Sequence, residues 1–206
     1  MDALIAGYHR FRQSGWPEHR RRFSTLATEG QSPRAMVIAC SDSRVDPSMI
    51  FDAAPGEIFT VRNIAALVPP YAPDDKHHGT SAALEFGVRV LRVSELIVLG
   101  HAMCGGVNAL LHGSPLADGE FINAWVSIAE PARRTTLAAV AVTPEEAQTI
   151  CELETIKLSL ANLRTFPWIA EAEARGDLRL HGASFDIRSG LLSRLGDDGQ
   201  FRLVTD

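Results

Sequence analysis

Short, continuous apolar runs alternating with helix-patterned stretches predict an α/β fold. The expected architecture is a mostly parallel central sheet, flanked by helices, with an N-terminal helical arm. Ala35-Met36-Val37-Ile38-Ala39 is an unbroken apolar run after Pro33, as a strand covered on both faces requires. Ile58–Val61 and Glu95–Gly100 have similar character, and apolar residues between them recur at helical spacing. Strands separated by helices pair in parallel through right-handed crossovers.

Taken in order, residues 2–29 predict a helical arm. It is interrupted near Gly15-Trp16-Pro17, because proline lacks a donor and disfavours helix in the residue before it. Arg20-Arg21-Arg22 within it reads as a solvated helix face. Val68–Lys76, with three prolines and two aspartates, is a surface loop, and His77 and His78 beside it are exposed. Leu84, Val88 and Leu91 share one helical face. A short helix begins at Cys104 and runs through Val107, Leu110 and Leu111 to Gly113. The clearest helix start is Thr143-Pro144-Glu145-Glu146, where Thr143 caps, Pro144 suits the first position and Glu146 completes a capping box. Ile150, Leu153, Ile156, Leu160 and Leu163 continue it as an apolar stripe until Pro167, with Cys151 beside them as a small core residue. Leu178–Phe185 alternates less cleanly and supplies a further strand. The expectation is one domain over residues 1–206, with residues 1–29 as its arm. Its sheet has about four parallel strands plus an antiparallel edge strand.

The 206 residues carry a formal net charge of −5, so no large positive field favours nucleic acid or anionic membrane. The longest apolar runs fall far short of the ~18 residues of a membrane span. His9, Arg10 and Arg12 are followed by no apolar stretch of secretory type. Three cysteines form no disulfide framework, which points to a reducing compartment, the cytoplasm, and leaves thiols free for metal.

Two segments carry chemistry: Cys40-Ser41-Asp42-Ser43-Arg44 and His101-Ala102-Met103-Cys104-Gly105-Gly106. Each begins where a buried strand ends, and strand C-termini border the crevice in which parallel sheets bind ligands. Cys104 at a helix N-terminus is favoured as thiolate, the form that binds metal. Cys40, His101 and Cys104 make a Cys₂His set, which with zinc leaves a fourth position open, as catalytic sites do. Thiolates argue against magnesium, calcium or manganese. Arg44 can grip the Asp42 carboxylate in a two-pronged bond, leaving other lone pairs of Asp42 to orient water on the metal.

These residues resemble the β-class carbonic anhydrases of the plant-like subgroup. The likeness runs from Gly7-Tyr8-His9-Arg10-Phe11 to about Gly190. It is strongest over Cys40–Val45, Pro55-Gly56-Glu57, Val61-Arg62-Asn63-Ile64-Ala65 and Gly100–Val107. The resemblance implies reversible hydration of carbon dioxide to bicarbonate and a proton by zinc-bound hydroxide. It implies one Zn²⁺ per chain on Cys40, His101 and Cys104, and Asp42–Arg44 as the orienting pair. It also implies a narrow apolar pocket in a homodimer or dimer of dimers, with Gln31, Phe59 and Ile64 as pocket residues and the Gly105 N–H facing substrate. Phe86 stands where the subgroup usually carries tyrosine, and Ala102 replaces a common serine. Val37, Ala39 and Phe185 occupy positions where some members build a second bicarbonate pocket, and they lack its donors. Two rival readings are a related hydrolase of carbon disulfide or carbonyl sulfide and a noncatalytic zinc or thiol-sensor module. The second predicts no open metal position and little use for Asp42 or Arg44.

Overall fold

The arm is built from α1 (Asp2–Arg10) and α2 (Trp16–Glu29), joined by a π turn over Phe11–Gly15 in the computed structural model, which describes residues 1–113, 119–139 and 143–205. The predicted interruption does not occur: Gly15 and Trp16 keep helical dihedrals. In the widened turn the Trp16 N–H bonds to Phe11 O, and Pro17 falls in the first turn of α2, where its missing N–H is not needed. Trp16 stacks on Phe23 at 5.2 Å while Phe11 packs edge-on against both rings. No residue of α1, the π turn or α2 is buried. Arg22 departs from the expected solvated run, because it is half-buried, pairs with Glu57 at 3.2 Å and donates to Pro55 O.

Four strands are parallel: β1 (Ala35–Cys40), β2 (Ile58–Asn63), β3 (Glu95–His101) and β4 (Arg179–Phe185). β5 (Leu192–Leu195) and β6 (Phe201–Leu203) add to β4 in antiparallel fashion, giving the order β2-β1-β3-β4-β5-β6. The edge therefore holds two antiparallel strands where the sequence suggests one. Both are too short for alternation to register as a pattern, and each follows a turn closed by a glycine at positive φ, Gly190 or Gly199. β1 and β3 are central and buried. β2 lies at the outer edge and is only half-buried, unlike the run over Ala35–Ala39 that it resembles in sequence.

Helices fill the connections: α3 (Pro47–Ile50), α4 (Gly79–Glu85, continued by a π turn over Phe86–Val90), α5 (Gly105–His112), α6 (Ile122–Val126), α7 (Glu130–Ala138), α8 (Pro144–Leu163) and α9 (Pro167–Ala174). Alternate strand residues supply the two faces of the sheet. Met36, Ile38, Leu96 and Val98 pack with Leu84, Ile156, Leu160 and Phe166, while Val37, Ala39 and Leu99 pack with Val45 and Ala183. The capping box forms as predicted, with Glu146 N donating to Thr143 Oγ1 at 3.2 Å and Thr143 N donating to Glu146 Oε2 at 2.8 Å. The apolar stripe is too narrow a description of α8. Ile150 and Leu153 are half-buried, whereas Cys151, Glu152, Thr155 and Ser159 are buried, because α8 packs against α5 and α7 as well as the sheet. Val68 is buried, so the exposed loop begins after it; His77 and His78 are exposed, with His78 Nε2 2.6 Å from Asp74 Oδ1.

Candidate metal centre

The parallel register places the ends of β1 and β3 side by side, with Ala39 opposite Leu99. Cys40 ends β1, His101 ends β3, and Cys104 follows as the residue that opens α5. The turn between them needs Met103 at a φ of 58°, the left-handed region, which brings Cys104 back toward β1. Gly106 allows α5 to lie against the turn over Ile64–Ala66, since a Cβ there would meet Ile64 Cγ2 at 2.6 Å.

Three buried ligand atoms converge: Cys40 Sγ, one His101 ring nitrogen and Cys104 Sγ all lie within 4.8 Å of one another. His101 Nδ1 faces its neighbour's carbonyl, Ala102 O, at 2.9 Å. That carbonyl can only accept, so Nδ1 carries the proton and Nε2 presents a lone pair. Nε2 is buried and has no hydrogen-bond partner among the described residues, which is the state of a nitrogen awaiting an electrophile. The sulfurs stand 4.0 Å apart and are not bonded to each other. Two Zn–S bonds of ~2.3 Å at the tetrahedral angle span about 3.8 Å, so the spacing fits zinc. Contact with the Cys104 thiol pulls the Cys40 thiol down to about 4 against its burial, and the same contact pushes Cys104 up. One thiolate forms readily, and a cation is needed to hold two. Cys151 is also buried, and burial pushes its thiol up.

Asp42 and Arg44 form a fork beside this cluster. Arg44 Nε donates to Asp42 Oδ1 at 3.0 Å and Arg44 Nη2 to Asp42 Oδ2 at 2.7 Å; the Arg44 backbone N–H also reaches Oδ1 at 2.9 Å. These bonds hold the Asp42 carboxyl far below the usual carboxylate range. Asp42 Oδ2 lies 3.9 Å from His101 Nε2, so the carboxylate borders the position the ligands face. Arg44 Nη2 also donates to Met103 O at 3.2 Å, tying the two ligand-bearing loops together.

Two braces were not legible in the sequence. Arg62 on β2 donates from Nε to Cys40 O at 2.9 Å and from Nη2 to Asp42 O and Val45 O at 2.6 and 2.9 Å. Glu152 on α8 accepts the Cys104 N–H at 2.8 Å while Gln148 donates to Cys104 O at 3.1 Å. Arg62 lies in the Val61–Ala65 stretch of the resemblance, but nothing in the sequence marks it as a clamp on the carbonyls of the loop after β1. The only sign of the second brace is the four-residue spacing of Gln148 and Glu152, which ordinarily marks a solvated face.

The remaining candidate residues divide by place. Ile64 follows β2 at the metal end of the sheet, is 38% exposed, and its carbonyl accepts from Trp125 Nε1 at 2.8 Å. Gly105 is exposed beside Cys104, with open space where a Cβ would stand. Ser41, Asn63 and Ile64 line a largely apolar cavity of about 1130 Å³ that none of the three ligands enters. Gln31 precedes β1 and Phe59 is near the start of β2, both away from the ligand-bearing strand ends, since Phe59 pairs with Met36 whereas Asn63 pairs with Cys40. Four residues of strand separate them, roughly 13 Å. Phe86 packs on Phe59 with ring centroids 5.8 Å apart, so neither aromatic reaches the chain's own cluster.

Comparison with known proteins agrees with this geometry. The family model described as carbonic anhydrase matches residues 35–192. The chain is 38% identical to a carbonic anhydrase of Pseudomonas aeruginosa, covering 98% of this chain and 90% of that one. Its fold superposes on the β-carbonic anhydrase CcaA with a TM-score of 0.93 and 33% identity, covering 99% of each chain. It also matches a structure from work on two tetrameric β-carbonic anhydrases of Sordaria macrospora, with a TM-score of 0.81 and 28% identity over 95% of this chain and 96% of that one. On the combined weight of fold, ligand cluster and likeness, the chain belongs to the β-class carbonic anhydrase family.

Proposed function

We propose that this chain catalyses the reversible hydration of carbon dioxide to bicarbonate and a proton, with one zinc ion per chain on Cys40, His101 and Cys104. The observation that carries the reading is the convergence of three buried ligand atoms within 4.8 Å beside a carboxylate locked by an arginine. Zinc, when bound, supplies Lewis acidity and hence a water-derived nucleophile near neutral pH. Asp42 is ionised and can only accept hydrogen bonds. Its Oδ2 therefore favours an O–H group over a bare lone pair at the position bordering His101 Nε2, and so orients an attacking oxygen. Arg44 holds Asp42 in that pose and keeps it from turning into a ligand itself. The Gly105 N–H and the Ile64 side chain are the chain's own contributions to a small apolar slot, which suits an uncharged substrate.

The pocket is completed across a subunit interface in this proposal. Gln31, Phe59 and Phe86 lie away from their own metal end, and Phe86 is 42% exposed. The arm presents Leu4, Ile5, Tyr8 and Phe11 to solvent, an apolar surface that a second copy would cover. We read the chain as one domain over residues 1–206 that works as a homodimer or a dimer of dimers. A reducing compartment such as the cytoplasm suits its three free cysteines. No helix among the described residues is long and apolar enough to cross a membrane.

The test is zinc content and stopped-flow hydration of carbon dioxide measured on one preparation. One zinc per chain with rapid hydration is expected. A stoichiometric zinc protein inert toward carbon dioxide would reject the activity, and a metal-free active protein would reject the mechanism.

A further inference from the structure

Glu152 is a carboxyl group only 4% exposed, in a helix whose packing would be better served by an apolar side chain. Its Oε1 accepts the Cys104 N–H at 2.8 Å and the Gln148 Nε2–H at 2.6 Å. Gln148 Nε2 donates in addition to Cys104 O at 3.1 Å. Both polar groups of the Cys104 backbone are therefore tied to one face of α8. Cys104 O also accepts the Asn108 N–H at 2.9 Å as the first bond of α5, so the Cys104 N–H is the group that depends on Glu152; Cys104 follows the left-handed Met103, has extended dihedrals (φ −71°, ψ 119°) and makes no side-chain cap for α5. A cysteine sulfur is one rotatable bond from its backbone, so whatever holds the Cys104 peptide largely decides where Sγ stands.

We propose that Glu152, supported by Gln148, is a positioning residue that fixes the Cys104 backbone so that its sulfur meets Cys40 Sγ and His101 Nε2 around the metal. This rests on the assignment of Cys104 as a zinc ligand. Partners that orient metal ligands typically change metal affinity 10–100-fold when removed. Glu152 does not touch the metal position, and its effect runs through Cys104.

The test uses zinc-loaded, full-length protein and measures zinc release to an excess of chromophoric chelator, alongside the melting temperature. Glu152→Ala is expected to release zinc at least about tenfold faster than wild type. Glu152→Gln keeps the packing volume and an acceptor oxygen but loses the charge, so it should fall between the two, and its acceleration over wild type is what a packing role does not predict. Leu153→Ala is the control. It truncates the next side chain of α8, half-buried against the sheet-side core, and should lower the melting temperature while leaving release close to wild type. Wild-type release from Glu152→Ala, or equal acceleration in Leu153→Ala, overturns the inference. If Glu152→Ala does not fold, Gln148→Ala and Glu152→Gln decide the matter: faster release in both supports the brace, and wild-type release in both overturns it. Wild-type protein without stoichiometric zinc would overturn the metal assignment and this inference with it, a failure visible before any variant is made.

Discussion

Replacing Arg62 with lysine should loosen the loop that carries Cys40 and Asp42. The guanidinium spans three carbonyls, Cys40 O at 2.9 Å, Asp42 O at 2.6 Å and Val45 O at 2.9 Å, with Asp46 Oδ2 at 3.5 Å. A lysine ammonium is a compact point charge without the planar fork, so its three N–H groups cannot match carbonyls spread across the guanidinium, and we expect two of the bonds to be lost. Each lost bond to a charged donor in this part-buried setting is worth about 1–1.5 kcal/mol, giving a loss of about 2–3 kcal/mol. The Asp46 pair adds little, because its side chains are 29% and 48% exposed. In a chain of this size 1 kcal/mol moves the melting temperature by about 2–4 °C, so a drop of about 4–12 °C is expected. Activity should fall further than stability implies, since a displacement of about 1 Å at a reacting centre costs on the order of a hundredfold. Thermal unfolding of the zinc-loaded variant, with hydration kinetics at 25 °C where both proteins are folded, reads both effects. A variant that melts within about 1 °C of wild type and hydrates carbon dioxide at the same rate would refute the clamp.

Arg44→Ala removes the bonds at 3.0 and 2.7 Å that hold Asp42 ionised, so its carboxyl should rise toward the ordinary range. We expect retained zinc, kcat/KM lower by at least about tenfold, and activity that fails at a higher pH than in wild type as acid is added; an unchanged pH profile would count against the pair. Glu95 is held at about 2 by the Arg179 guanidinium, with help from His181 and against burial. Its stabilisation is complete above its usual value near 4.5 and is lost as pH falls toward 2. Because Arg179 is 65% exposed, screening limits the gain to about 1 kcal/mol. Urea unfolding should therefore find Glu95→Gln weaker than wild type at pH 7, with the gap narrowing as pH drops below about 4.5, and a constant gap would refute this linkage. Light scattering of the whole chain should give a dimer or a multiple of it, and a fully active monomer would contradict the shared pocket.

The parallel strands and the metal end of the sheet are legible in the sequence because burial on both faces leaves an unbroken apolar run, as in Ala35–Ala39. The edge is not. β2 opens with a similar run, Ile58–Val61, but has one hydrogen-bonded neighbour, and β5 and β6 are too short to show alternation. The break expected at Pro17 is absent because the π turn ahead of it shifts the hydrogen-bond register so that the missing N–H is not needed, and no local propensity encodes that compensation. Within the site, Cys40, His101, Cys104, Asp42 and Arg44 stand out because thiol, imidazole and ion-pair chemistry at strand ends is unusual in itself. Arg62, Gln148 and Glu152 do not stand out. Their roles are contacts to backbone atoms distant in sequence, and only the fold brings those atoms within reach.

The most direct test is a crystal structure of the zinc-loaded protein near neutral pH, with anomalous diffraction recorded at the zinc edge. The account predicts one anomalous peak per chain, bounded by Cys40 Sγ, His101 Nε2 and Cys104 Sγ. Asp42 should remain in the grip of Arg44, and a water or small anion should fill the fourth position. A peak centred elsewhere, such as at His77 and His78, or an Asp42 carboxylate bound directly to the metal, would contradict it.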